Sequence, residues 1–132
     1  MYSKDRIDAQ RGLPASRARG TGRTMIRVEL RPQGRDLLLE VTGGEAHVGA
    51  VAVAAPGWSE ARLVVVPGHR EGPLASAAAV RLAEAAGCTC AVVVGIHQDH
   101  ATRDEITTIV GHVEAAVESL ATELAAGGGW RP

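Results

Sequence analysis

The stretch from Ala91 to Ile109 constrains the fold more than any other part of the sequence. It begins with an apolar, β-branched run, which is typical of a buried strand. Gly95 interrupts this run shortly before a polar segment, and Thr102 and Glu105 then have the spacing of a capping box that begins a helix. The sequence therefore predicts a strand, a polar loop and a helix in direct succession. Such a junction is where α/β proteins commonly place ligand-binding groups.

Length and charge narrow the possible classes of protein. The 132 residues suffice for one domain, and a chain that is 45% hydrophobic but lacks Phe must build its core from Val, Ala, Leu and Ile. Residues 1–24 contain six Lys or Arg and two Asp, a net charge of +4, whereas residues 25–132 contain eight basic and thirteen acidic residues, a net charge of −5. A nucleic-acid partner is therefore not expected, because such proteins carry positive charge on the folded part.

Apolar alternation and turn residues predict four strands ahead of the first helix, over residues 26–31, 37–41, 47–54 and 63–66. Because the turns between them are short, we expect an antiparallel meander. A helix from Pro73 to Gly87, a fifth strand over 90–96 and the capped helix ending at Gly127 complete the order. The predicted fold class is α+β, ββββαβα, with the helices on one sheet face.

The same patterns predict the domain limits and an assembly state. Residues 1–24 have no sustained apolar period and are expected to be a disordered basic tail, residues 25–126 form a single domain, and residues 127–132 are a loose C-terminal tail. In the third strand, the residues that point to either side of the sheet are apolar. We therefore expect the second sheet face to be buried too, in a homodimer that packs sheet against sheet.

Cysteine usage bears on metal binding and on the cellular compartment. Cys88 and Cys90 form a C-x-C pair with no second pair to complete a four-cysteine zinc site, so a structural role is favoured. The sequence has no disulfide framework, no 18-residue apolar run and no secretory signal, and a cytoplasmic protein without a membrane partner is expected.

Three predicted loops carry histidines. His47 lies beside a glycine pair, while His69 precedes the first helix and His97 and His100 precede the second. A helix N-terminus with a neighbouring guanidinium, such as that of Arg70, suits phosphate or another anion. If the fourth and fifth strands are parallel neighbours, as in a βαβ unit, the second and third loops emerge at one edge of the sheet.

The residues alone leave three kinds of site open. His69, His97, Asp99 and His100 could hold zinc or iron, although their spacing is looser than that of established metal motifs. A nucleophilic enzyme has little support, because no serine or cysteine lies in an activating motif. The third possibility is non-catalytic binding of an anionic, planar small molecule between the two helix N-termini.

The strings GGEAHVGAVAVA, VVVPGHREGPLA and VVVGIHQDHATRDEI resemble three signature segments of the LpdD family, over roughly residues 25–124. The resemblance implies a dimer with a fold similar to small proteasome-assembly chaperones, and a chaperone for reduced prenylated FMN rather than an enzyme. Such a protein would take the flavin after its synthesis by a flavin prenyltransferase and deliver it to a UbiD-type decarboxylase, such as gallate decarboxylase.

The positions that match the family motifs are the expected cofactor-binding residues: His47, Gly68, His69, Arg70, Glu71, His97, Asp99 and Thr102. The resemblance implies that Arg70 and the backbone after Gly68 hold the phosphate and that His69 and His97 face the polar edge of the ring. Asp99 would orient an imidazole. Two alternatives remain at this stage, a His/Asp metalloenzyme and a purely structural assembly chaperone or accessory subunit of a decarboxylase.

Overall fold

The computed structural model describes residues 13–130. Within that range the chain forms a mixed six-stranded sheet and two α-helices. In chain order the elements are β1 (Ala15–Arg19), a 3₁₀ turn (Gly22–Thr24), β2 (Ile26–Gln33), β3 (Asp36–Gly44), β4 (Ala50–Ala54), β5 (Arg62–Val65), α1 (Gly72–Ala86), β6 (Cys90–His97) and α2 (Arg103–Ala126).

The core lies between one face of the sheet and both helices. Over residues 26–30 of β2 and 37–41 of β3 every second residue is buried, as the alternation of apolar and polar residues predicts. The buried side of α1 consists mainly of alanines, and such small side chains let the helix backbone approach the sheet closely. The predicted α+β class, with both helices on one sheet face, agrees with this arrangement.

The sheet order is β1-β2-β3-β6-β4-β5, in which β3 and β6 are parallel and the other neighbours are antiparallel. The predicted meander is therefore wrong, because β6 separates β3 from β4. The condition considered for a βαβ unit, that β5 and β6 are neighbours, is not met either, since β4 lies between them. β6 is almost entirely apolar, and a strand of that kind belongs in the sheet centre, where both neighbours cover its edges.

A five-residue connection, 45–49, carries the chain from β3 over the end of β6 to β4. Five extended residues reach about 16–18 Å, which is enough to pass one intervening strand. The Glu45 N–H donates to the His97 carbonyl at 2.9 Å, and the Gly49 N–H donates to the Val94 carbonyl at 2.9 Å. The connection is thus hydrogen-bonded to β6 at both of its ends.

Both predicted tails are partly structured. Ala15–Arg19 forms the edge strand β1 instead of disordered chain, and its Arg17 pairs with Glu123 of α2 at 3.0 Å. At the other end, the Trp130 N–H donates to the Ala86 carbonyl at 2.8 Å, so this tail docks on the end of α1. The remainder of the predicted tails, residues 1–12 and 131–132, lies outside the described residues.

The sheet face away from the helices is apolar on one half only. Four valines of β4, β5 and β6, here named the outer valine face, lie on it side by side: Val51, Val53, Val64 and Val93. Val64 is 71% exposed, and all of β5 is exposed at the sheet edge. No helix within residues 13–130 is long and apolar enough to cross a membrane.

Candidate functional site

Three chain segments meet at the edge of the sheet where β3, β5 and β6 end. β5 and β6 run in the same direction although β4 separates them, so the segments that follow them emerge at the same edge of the sheet. The 45–49 connection lies at this edge as well, because it passes over the end of β6. His47, His69 and His97 each stand on a different one of these three segments.

Two glycines allow close approaches between the segments and strands at this edge of the sheet. A Cβ atom on Gly95 would come within 1.5 Å of the His47 carbonyl oxygen, and a Cβ atom on Gly49 would lie 1.4 Å from Glu71 Oε2. Either contact is far inside van der Waals distance. The half-buried His47 ring is held from its own segment, since its Nδ1–H donates to the Glu45 carbonyl at 3.1 Å.

The second segment, between β5 and α1, turns at Gly68, whose φ of 87° favours glycine. The His69 N–H then donates to the Val66 carbonyl at 3.1 Å. Glu71 is the N-cap residue of α1, but its side chain does not cap the helix. The carboxylate instead points toward the first segment, and its Oε2 lies 3.6 Å from His47 Nε2 and 3.8 Å from His69 Nδ1.

His47, His69 and Glu71 form a compact cluster that the sequence did not predict as a unit. The two imidazole rings lie 4.7 Å apart between centroids at an interplanar angle of 32°. His47 Nε2 and Glu71 Oε2 are buried and make no hydrogen bond within the described part of the chain. One ligand atom from each of the three residues lies within 4.8 Å of the other two.

The third segment places His97 beside this cluster. The His97 ring is T-shaped to that of His47, with centroids 6.4 Å apart. Its Nε2–H donates to Asp99 Oδ1 at 2.8 Å. His100 has a left-handed φ of 54° and is exposed; it is not part of the cluster.

Arg23 is a residue of this region that sequence reasoning missed, because it falls in the segment predicted to be disordered. Its Nε–H donates to Glu105 Oε2 at 2.8 Å, and its Nη2–H donates to the Asp99 carbonyl at 2.6 Å. Arg23 therefore ties the loop that carries His97 to the first turn of α2. No local pattern signals such a contact, which joins residues 82 positions apart in the sequence.

The predicted capping box at the start of α2 is present. The Glu105 N–H donates to Thr102 Oγ1 at 3.1 Å, and the Thr102 N–H donates to Glu105 Oε1 at 3.0 Å. The Thr102 N–H, together with the Arg23 guanidinium, lowers the pKa of the Glu105 carboxyl below its usual value. Thr102 thus caps the helix and does not line the cavity described next.

A cavity of about 290 Å³ lies between the second and third segments. The polar part of its lining is the backbone at Gly68 and the side chains of His69, Arg70, Glu71, His97 and Gln98. The apolar part comes from the two helices, the end of β6 and the loop that follows it, through Leu74, Ile96, Ala101, Ile106, Ile109 and Val110. The convergence predicted for the segments near residues 69 and 97 is thus confirmed, and the cavity is amphipathic.

The polar part of the lining suits an anion. Arg70 is exposed at the cavity and forms no ion pair with any residue in the described range, and the backbone N–H groups of Arg70 and Glu71 donate to no atom there. These donors lie at the N-terminus of α1, where the helix dipole favours negative charge. Pro73, in the first turn of α1, contributes no N–H donor.

The structure does not gather the other metal set considered from the sequence. Within residues 13–130, the grouped ligand atoms belong to the cluster of His47, His69 and Glu71 and not to Asp99 or His100. Cys88 and Cys90 are free thiols. Burial raises the pKa of both, so neither is a thiolate ready to bind a metal at neutral pH.

Comparison with known proteins assigns the chain to a family. A family model described as prenylated flavin chaperone LpdD-like domain matches residues 20–125, which include all three segments of the site. No curated protein shows significant similarity to the chain. Because the match spans most of the 132 residues, the chain belongs to the family of prenylated flavin chaperone LpdD-like domains.

Proposed function

We propose that this protein holds reduced prenylated FMN as cargo, without transforming it, and delivers it to a UbiD-type decarboxylase. The family provides the flavin-chaperone role, which implies a non-catalytic protein. The observation that carries the proposal is the amphipathic cavity between residues 68–74 and residues 96–110. A prenylated flavin has a phosphate, a ring edge rich in hydrogen-bonding groups and added hydrocarbon, and each requires a different lining.

The phosphate is assigned to the N-terminus of α1. Arg70 offers a guanidinium that pairs with phosphate oxygens through two parallel hydrogen bonds. The free N–H groups of Arg70 and Glu71 offer further donors next to the helix dipole. Gly68, with its φ of 87°, permits the turn that brings these donors to the cavity.

The flavin ring is assigned to the space between the histidines and the apolar wall. His69 and His97 belong to the polar part of the lining, and their ring nitrogens can meet the oxygen and nitrogen atoms at the edge of the isoalloxazine. Ile106 and Ile109 of α2 line the same cavity and suit the added hydrocarbon. Asp99 keeps the His97 ring in place by accepting its Nε2–H at 2.8 Å.

The size of the cavity fits a carrier. About 290 Å³ is near the lower limit of small-molecule sites, which range over about 300–1,000 Å³. A flavin nucleotide would therefore be enclosed only in part and would keep an exposed portion. Partial enclosure suits a protein that must release its ligand to an apo-enzyme, because release then requires little opening of the fold.

We further propose that two copies pair through the outer valine face, sheet against sheet. Val51, Val53 and Val93 are half-buried on a surface that no helix of residues 13–130 covers, and Val64 is 71% exposed. An apolar sheet surface of this kind is typical of a subunit interface.

The test is an anaerobic titration of the purified protein with reduced prenylated FMN, reduced FMN and reduced riboflavin, followed by transfer of the bound flavin to an apo UbiD-type decarboxylase. We expect reduced prenylated FMN to bind most tightly and riboflavin, which lacks the phosphate, to bind most weakly. The loaded protein should activate the decarboxylase without any turnover of the flavin.

Two results would contradict the proposal in different ways. Failure of every flavin to bind would reject the carrier role. Activation of the decarboxylase by flavin-free protein, retained after substitution of Arg70 by alanine, would instead favour a structural accessory subunit.

A further inference from the structure

We propose that His47, His69 and Glu71 form a binding site for one divalent transition-metal ion, with Zn²⁺ as the best-matched species. The site goes beyond the flavin-carrier function and does not depend on it. It also differs from the metal set considered from the sequence, since it excludes His97, Asp99 and His100.

The hydrogen bonding of His47 leaves one ring nitrogen available to bind a cation. Its Nδ1–H donates to the Glu45 carbonyl at 3.1 Å, so the neutral ring carries the lone pair on Nε2. This lone pair faces Glu71 Oε2 across 3.6 Å. Two acceptors that face each other repel, and a cation between them turns the repulsion into two bonds. A histidine that donates one ring N–H to a backbone carbonyl and presents the other nitrogen is the usual arrangement of a metal ligand.

Burial isolates two of the proposed ligand atoms from other hydrogen-bond partners. His47 Nε2 and Glu71 Oε2 are both buried, and neither has a hydrogen-bond partner among residues 13–130. Buried polar atoms are nearly always satisfied, because leaving one unpaired costs free energy. The Glu71 side chain is only 12% exposed, so water reaches its carboxylate poorly. An ion bound to both atoms would satisfy them together.

The distances between the ligand atoms of Glu71 and the two histidines are close to those of a zinc site. Ligand atoms about 2.0–2.2 Å from a tetrahedral Zn²⁺ lie about 3.3–3.6 Å from one another. Glu71 Oε2 lies 3.6 Å from His47 Nε2 and 3.8 Å from His69 Nδ1, so a small movement of the side chains completes the geometry. Two histidines and a glutamate leave the fourth position open, and His69 and Glu71 line the cavity.

The backbone around the cluster is shaped to hold it. Gly49 leaves the space that the Glu71 carboxylate occupies, and Gly95 leaves the space for the His47 backbone. Any larger residue at either position would displace a ligand. The three ligands come from two segments that the fold brings together, so the site exists only in the folded chain.

The test is a titration of chelator-treated, flavin-free, full-length protein with Co²⁺, followed by d–d absorption, and with Zn²⁺, followed by calorimetry. We expect about one equivalent to bind per chain and the absorption to indicate four- or five-coordinate Co²⁺ with nitrogen and oxygen ligands. His47→Gln, His69→Gln and Glu71→Gln should each weaken binding by at least about tenfold.

Two controls separate this site from other binding. His100→Asn removes an exposed histidine outside the cluster, and Cys88→Ser removes a thiol; both should leave the affinity unchanged. Thermal unfolding without metal checks that each variant folds. If another cluster variant fails to fold, the result for His69→Gln decides, because His69 is the most exposed of the three ligands. Absence of stoichiometric binding, an affinity in all three cluster variants equal to that of the wild type, or loss of binding in Cys88→Ser would overturn the proposal.

Discussion

The carbonyl group of His47 lies directly on the Cα atom of Gly95, so that no side chain fits between them. The contact occurs where the 45–49 connection crosses the end of β6, and it holds His47 next to His69 and Glu71. One glycine in a central strand thus determines both where the chain crosses and where a site residue is placed.

Gly95→Ala should destabilise the fold and disturb the site together. The added methyl group must displace the crossing segment, and overpacking of this kind typically costs about 1–3 kcal/mol. The free energy of unfolding from denaturant titration measures the loss. Gly111→Ala is the matched control, because nothing lies within 4 Å of a Cβ atom there and alanine favours the helix interior. Equal stability of Gly95→Ala and the wild type would refute the role of the contact.

Arg70→Gln should weaken binding of a phosphorylated flavin while leaving binding of riboflavin nearly unchanged. Loss of a hydrogen bond to a charged group costs about 1.5 kcal/mol, which is roughly tenfold in affinity. Anaerobic titration of both reduced flavins measures the difference. Arg35→Gln, in the exposed turn between β2 and β3, serves as the control. A loss of similar size for riboflavin would place the phosphate elsewhere.

Stability should depend on pH in the acid range through Glu105. Its pKa is lowered in the folded chain, first by the Thr102 N–H and then by Arg23, so the unfolded chain binds the proton more tightly. The stabilisation is therefore complete above the ordinary carboxyl pKa and is lost as pH falls through the lowered one. Glu105→Gln should flatten the decline in unfolding midpoint below about pH 5.

The control for that measurement is Glu114→Gln, which changes an exposed glutamate of the same helix. Its midpoint should decline with pH as the wild type does. A decline in Glu105→Gln as steep as in the wild type would show that the contacts of Arg23 and Thr102 with this carboxylate contribute nothing to stability.

Val64→Glu should convert the proposed homodimer to monomer. Val64 is the most exposed member of the outer valine face, at 71%, and a charge there would be buried without a partner if two such faces packed together. Sedimentation velocity reports the change in mass. Val64→Thr keeps the β-branched shape and should retain the dimer. A monomeric wild type, or a dimeric Val64→Glu variant, would argue against pairing through this face.

The sequence predicted individual elements better than their arrangement. Alternation and capping residues located all five predicted strands to within three residues, and both helices, because these signals are local. The third strand begins at Ala50, so His47 lies in the connection ahead of it. β1 was missed because Arg17 and Arg19 take its core-facing positions, where an ion pair to Glu123 replaces an apolar contact. Strand order has no local signal, so the insertion of β6 was missed as well.

The candidate site shows the same division. Each predicted histidine loop lies at the end or the start of an apolar strand, and strand direction brought His69 and His97 to the same edge of the sheet. The contact of Glu71 with His47 was not predictable, since it depends on the crossing of β6. The contact of Arg23 with Glu105 was not predictable either, because the two residues lie far apart in the sequence and the segment around Arg23 shows no periodicity.

Surface connections usually accept extra residues at small cost, because loop-closure entropy grows slowly with length. The 45–49 connection should not accept extra residues in this way. It must reach β6, present one imidazole inward and return to β4, and its hydrogen bonds at both ends leave no slack. An insertion there would unseat His47 even if the sheet survived, whereas the β2–β3 turn at Gly34 has open space around it. The length of this loop is therefore fixed by its hydrogen bonds to β6 and by the position of the His47 ring.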